Sequence, residues 1–237
     1  MPWCNSSFGG ASIGQTYRGD ILIIGIDASN LLQGGGRTHL IELISAAEPQ
    51  RYGVQQVVVW GCQTTLDALP ERPWLVKRCL PVLASGVLSR ALWQRYELPK
   101  AARTERIDLL FTPGGTIGTD FRPVVTMSRN MLPFEWRELR RYGASLTGLR
   151  LLILRYTQSQ SFQMADGIIF LTRYAQNSIT RVTGPLAGLT TIIPHGINQR
   201  FQQPPKPQKP ISAYSNVQPY RLLYVSIINF YNGVRFS

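Results

Sequence analysis

At 237 residues, with 44% hydrophobic and 16% charged side chains, the chain can bury one substantial core and begin a second; it is not compositionally disordered. Lysine and arginine number 25 against 13 acidic residues, a formal charge of +12 that fits nucleic acid, an anionic lipid surface or a phosphorylated ligand equally well. Cys4, Cys62 and Cys79 form no C-x-x-C pair, which argues against a zinc site or disulfide framework and for a reduced, cytoplasmic setting; no apolar run approaches the ~20 residues that span a bilayer.

In chain order, residues 1–19 lack the apolar stretch of a secretory signal and read as a flexible leader. From there, short apolar runs alternate with longer segments of helical period, the pattern of a parallel sheet covered by helices. Strands are predicted at 21–26, 54–60, 74–80, 107–111, 124–127, 167–171 and 190–193, most of them rich in Val, Ile and Leu. Between them, 37–47 places Leu40, Ile41, Ile44 and Ala47 at helical spacing. The segment 87–103 does the same with Leu88, Leu92 and Tyr96, although Pro99 must kink or split it. The longest helix is predicted over 145–165. The expected architecture over 20–201 is α/β, a Rossmann-like parallel sheet with helices on both faces.

Residues 202–219 form a proline-rich segment that reads as an extended interdomain linker, and the apolar run 222–228 reads as a strand opening a second domain within 220–237. On that expectation the rest of a second domain lies outside this chain. A frameshift or truncation, a split enzyme with a separate C-terminal half, and a non-catalytic remnant would each explain it, the first being favoured by the change of composition at 232–237.

Three polar segments follow predicted strands. After the first, Gly34, Gly35, Gly36 and Arg37 open a helix, where free N–H groups, the helix dipole and a guanidinium favour an anion. The pattern matches neither a P-loop nor a dinucleotide fingerprint, and a bare triple glycine also serves as a plain turn. After the fifth, Arg129 and Asn130 sit where an open α/β sheet binds ligands, or on an ordinary surface loop. After the seventh, His195 lies between Pro194 and Gly196 in a turn and could donate to a ligand hydroxyl, although a loop histidine is more often simply solvated. His39, on the first helix, is expected to pack or face solvent.

These segments resemble the N-terminal domain of the retaining, nucleotide-sugar-dependent glycosyltransferases of family 4, which pair two facing Rossmann-like domains (the GT-B fold). The likeness rests on the glycine loop at 34–36, Arg-Asn-Met-Leu-Pro-Phe-Glu at 129–135, ADGIIFLTRYAQNSI at 165–179 and IIPHGINQRF at 192–201, and it covers about 20–228. The resemblance implies a transferase moving a sugar from a nucleotide diphosphate donor to a saccharide or lipid-linked acceptor, with the glycine loop near the donor phosphates and acceptor. The loops at 128–131 and 195–198 would line the interdomain cleft. The donor is a substrate, and no metal or other cofactor is implied. Two positions depart from the family pattern: Arg129 stands where many members carry histidine, and His195 where asparagine is common.

The family's second domain supplies the basic residues that neutralise the diphosphate and the paired glutamates of the E-x7-E motif, so this chain is expected to be inactive alone; no catalytic residue is identified. Arg137, Arg140, Arg141, Arg150 and Arg155, beside Leu149, Leu151, Leu152 and Leu154, suit either peripheral contact with an anionic membrane or a solvated face over a core stripe. The alternative function is a non-catalytic basic α/β module binding an anion such as nucleic acid. No nucleic acid is expected as partner, because helix-turn-helix, zinc-finger and alternating aromatic–basic patterns are missing.

Overall fold

The computed structural model describes residues 22–84, 86–196, 202, 204, 207–215 and 217–220. Its centre is a seven-stranded sheet: β1 (Leu22–Asp27), β2 (Val54–Gly61), β3 (Leu75–Cys79), β4 (Leu109–Thr112), β5 (Val124–Ser128), β6 (Gly167–Phe170) and β7 (Leu189–Ile192). All neighbours are parallel, in the order β3-β2-β1-β4-β5-β6-β7. The chain winds outward from β1 to β3, then returns to place β4 on β1's other side. The crevice between the carboxyl ends of β1 and β4 is therefore the topological switch point, where open α/β sheets bind ligands. Each predicted strand is present with its ends shifted by a residue or two.

The helices are α1 (Gly35–Ala46), α2 (Gln63–Leu66), α3 (Val87–Leu92), α4 (Leu98–Thr104), α5 (Trp136–Arg141), α6 (Leu146–Met164) and α7 (Arg173–Thr183). They cover both faces because the strands are apolar on both. In β2, Val57 and Val59 join Ile26, Leu40, Ile44, Leu66 and Trp74 on one face. Val58 and Trp60 point the other way into a core with Trp93, Leu98, Leu110, Phe162 and Ile179. Successive residues of a strand point to opposite sides, so one Val-rich run supplies both cores. Gly25 lets this happen in β1: a Cβ there would stand 2.7 Å from the Trp60 ring.

The 87–103 helix is split, as Pro99 demands, but the break takes a specific form. A π-helical turn, Trp93–Glu97, precedes α4, whose second residue is Pro99. The turn rotates Trp93 and Gln94 into the interior and leaves Leu88, Leu92 and Tyr96 exposed, so this stripe of helical spacing faces outward. The 145–165 helix is α6, with Ser145 as its N-cap, the hydroxyl accepting from Gly148 N at 3.1 Å.

The chain divides into two compact units, Met1–His195 and Gly196–Ser237. In the second, a 3-10 turn at Ile211–Ala213 precedes an edge-to-face contact of Tyr214 and Tyr220, whose ring centroids are 5.1 Å apart. The predicted strand at 222–228 and the leader at 1–19 lie outside the described residues. Among the described residues no helix is long and apolar enough to cross a membrane.

Candidate functional site

The rim at the carboxyl ends of β1, β2, β5 and β7 is built from a buried polar network below and an arginine–histidine cluster above. The network starts at Asp27, the last residue of β1 and only 5% exposed. Its Oδ1 accepts from Ser29 N at 3.0 Å, and its Oδ2 accepts from Gln94 Nε2. The same amide nitrogen lies 3.0 Å from Ser29 Oγ. Burial pushes the Asp27 carboxyl above its ordinary value, while the hydrogen bonds from Ser29 and Gln94 partly oppose the rise. The π turn thus has a local consequence: it delivers Gln94 to the strand end and fixes the start of the β1–α1 loop. Two further bonds hold that loop, from Thr65 Oγ1 to Leu31 O at 2.7 Å and from Arg90 Nε to Asn30 Oδ1 at 3.1 Å.

Above it, Gly34 takes φ +72° as the residue before α1, and the helix begins at Gly35. Arg37 N and Thr38 N turn back to Gly34 O at 3.1 and 3.2 Å. The glycines matter most at Gly36, where a Cβ would run into the Arg129 guanidinium. Arg129, just past β5, therefore lies directly against the first turn of α1. Its Nε and Nη1 are shielded from solvent and have no hydrogen-bond partner among the described residues, and burial pulls the group below its ordinary value. One turn along α1, His39 meets His195 edge to face, with ring centroids 4.8 Å apart. Burial first, then the charges of His195 and Arg129, hold the His39 imidazole below its ordinary value.

The structure thus brings Gly36, Arg129 and His195 together and adds His39, which no local pattern singles out. The other candidates behave differently. Arg37 reaches away from the glycine loop, its Nη2 donating to Thr64 O at 2.7 Å after β2. Asn130 is exposed, and its Oδ1 accepts from Leu132 N at 3.1 Å, so it closes its own turn. Gly34 and Gly35 have open space where a Cβ would stand, as does Gly196, the first residue of the second unit. Asp27, Ser29 and Gln94 were missed as a group because the amide arrives from a distant helix whose irregular turn no local pattern announces.

Chemically, the rim offers unpaired N–H groups at a helix start, two partnerless guanidinium nitrogens of Arg129, the partnerless Nε of Arg37 and the imidazole of His39. That set suits a phosphate or diphosphate beside a hydroxyl. Concavities also lie elsewhere among the described residues. One of about 540 Å³ is bounded by Trp60, Arg78, Cys79 and Trp93, and another by Gln176, Asn177, Thr180 and Arg181.

The description Glycosyltransferase Family 4 matches residues 33–201, a span that begins at the glycine loop and covers more than half of the chain. Among solved structures, a sucrose-phosphate synthase from Thermosynechococcus elongatus is 14% identical, the alignment covering 74% of this chain and 90% of that one with a TM-score of 0.43. No curated protein matches the sequence.

Proposed function

Because the chain belongs to glycosyltransferase family 4, we propose that residues 22–195 form one wall of a transferase cleft. The cleft moves a sugar from a nucleotide diphosphate donor to a hydroxyl of a saccharide or lipid-linked acceptor. The observation that carries this reading is Arg129, whose partnerless N–H groups lie against the glycine start of α1. A half-buried guanidinium without an acceptor is costly, and a phosphoryl oxygen beside it would supply the acceptor while taking bonds from the free helix N–H groups. His39, neutral at pH 7, can exchange a hydrogen bond with a ligand hydroxyl at the same rim.

A departing diphosphate needs more positive charge than one guanidinium provides. Turnover therefore requires positive charge from outside residues 22–195, which by themselves bind without transferring. Equilibrium titration with uridine and guanosine diphosphates tests the binding half. Arg129→Gln is expected to weaken affinity by about tenfold or more, whereas equal affinity in wild type and variant would remove Arg129 from the site.

A further inference from the structure

Over the first three turns of α6, apolar side chains face outward as well as inward, with Arg150 exposed among them. Gly148 and Leu151 are buried inward, while Leu146, Leu149, Ile153 and Tyr156 run outward at helical spacing, 88, 56, 56 and 67% exposed, with Leu152 beside them. Farther along, the outward positions become Gln160, Gln163 and Met164. A helix on a protein surface ordinarily turns polar residues to water, so a confined apolar stripe marks a face that something covers. The structure also divides the leucines singled out in the sequence: Leu149 and Leu152 face outward, whereas Leu151 is buried and Leu154 half-buried.

The charge around the stripe is mostly positive, although Arg141 pairs with Glu138 at 2.9 Å. From 135 to 156 there are five arginines against two glutamates. Arg137, Arg140, Arg141 and Arg150 are exposed. Arg155 is partly spoken for, donating to Pro133 O at 3.1 Å, and it lies 5.8 Å from the centre of the Trp136 ring. Trp136 is itself half exposed, with Arg140 over it at 5.5 Å. Apolar side chains, an interfacial tryptophan and flanking arginines are the composition of a helix that lies in the headgroup region of an anionic bilayer. A second copy docked on the same face would set these arginines against their own equivalents, which disfavours it. Topology adds a reason for the position. α6 runs from the carboxyl end of β5 to the amino end of β6, so its apolar turns lie at the end of the sheet that carries the glycine loop.

We infer that α5 and the first three turns of α6 form a peripheral docking face for an anionic lipid surface, with Leu146, Leu149, Ile153 and Tyr156 entering the headgroup–acyl boundary. This goes beyond the proposed transferase reading and does not rest on it, since a lipid-binding face can exist whatever the rim binds.

Because the whole chain is basic, charge alone would draw it to anionic vesicles, so the decisive substitutions leave charge untouched. The full chain is mixed with phosphatidylcholine vesicles, with or without about 30% phosphatidylglycerol, and its bound fraction is read by sedimentation. Wild type is expected to bind the anionic vesicles and to bind pure phosphatidylcholine far less. Leu149→Ser with Ile153→Ser is expected to lower partitioning by about tenfold or more, with melting temperature and circular dichroism unchanged because both side chains are exposed. Arg140→Gln with Arg141→Gln provides a second reading should the serine pair fold poorly, and is expected to lower partitioning as well. Serine-pair partitioning equal to wild type would overturn the inference. So would absence of vesicle binding, whether the chain stays monomeric or forms a dimer that the serine pair dissociates.

Discussion

A guanidinium with shielded N–H groups and no acceptor costs on the order of 1–3 kcal/mol or more, and the neighbouring imidazole of His39 registers its charge. The fold favours the neutral ring, so as pH falls through the unfolded value of about 6.5, stability is lost until the lower folded value is passed. Arg129→Gln removes one of the causes of that depression, and NMR titration of the His39 ring is expected to show its pKa rise toward the ordinary value. An unmoved titration would mean that the two groups do not sense each other. Asp27 carries the opposite sign. Its folded value is raised by burial, so between the unfolded and folded values the native state holds the extra proton, and raising pH through that window withdraws stability. The melting temperature of Asp27→Asn relative to wild type is therefore expected to be more favourable near pH 7 than near pH 4. A pH-independent difference would place the carboxyl in a less desolvated setting.

At the scale of elements, two glycines separate binding from stability. Gly36→Ala adds a helix-favouring methyl inside α1, but the methyl must displace the flexible end of Arg129. Diphosphate affinity is expected to fall while the melting temperature holds or rises slightly. Gly188→Ala instead drives a methyl into the backbone of Ala165 and Asp166, which cannot swing aside, and is expected to cost roughly 1–3 kcal/mol in denaturant unfolding. Ser145→Ala removes the N-cap of α6 and is expected to cost about 1 kcal/mol. The contrast between helices also shows what the sequence could convey. The strands and α6 were legible because apolar runs and a 19-residue helix with a serine cap are local signals. The spacing of Leu88, Leu92 and Tyr96 marks a helix face without saying which way it points, and Trp93 and Gln94 of the π turn before Pro99 take the interior. The rim was half legible for the same reason. Glycines and polar residues after strands mark its position, but the partnership of Gly36 with Arg129 joins residues far apart in the chain, as does that of His39 with His195.

For the molecule as a whole, the strand order makes one rim, and the proposed transferase reading gives that rim a chemistry. The excess positive charge serves two places in this account, the Arg129 cluster facing a diphosphate and the α5–α6 arginines facing lipid, and each can fail without the other. The central claim is that the glycine start of α1 and Arg129 hold an anionic ligand. Amide and side-chain NMR mapping during titration with uridine diphosphate tests it most directly. Saturable shifts centred on Gly35, Gly36, His39 and the Arg129 guanidinium are expected, together with their loss in Arg129→Gln. Saturable shifts centred elsewhere, or none at these groups, would contradict the account.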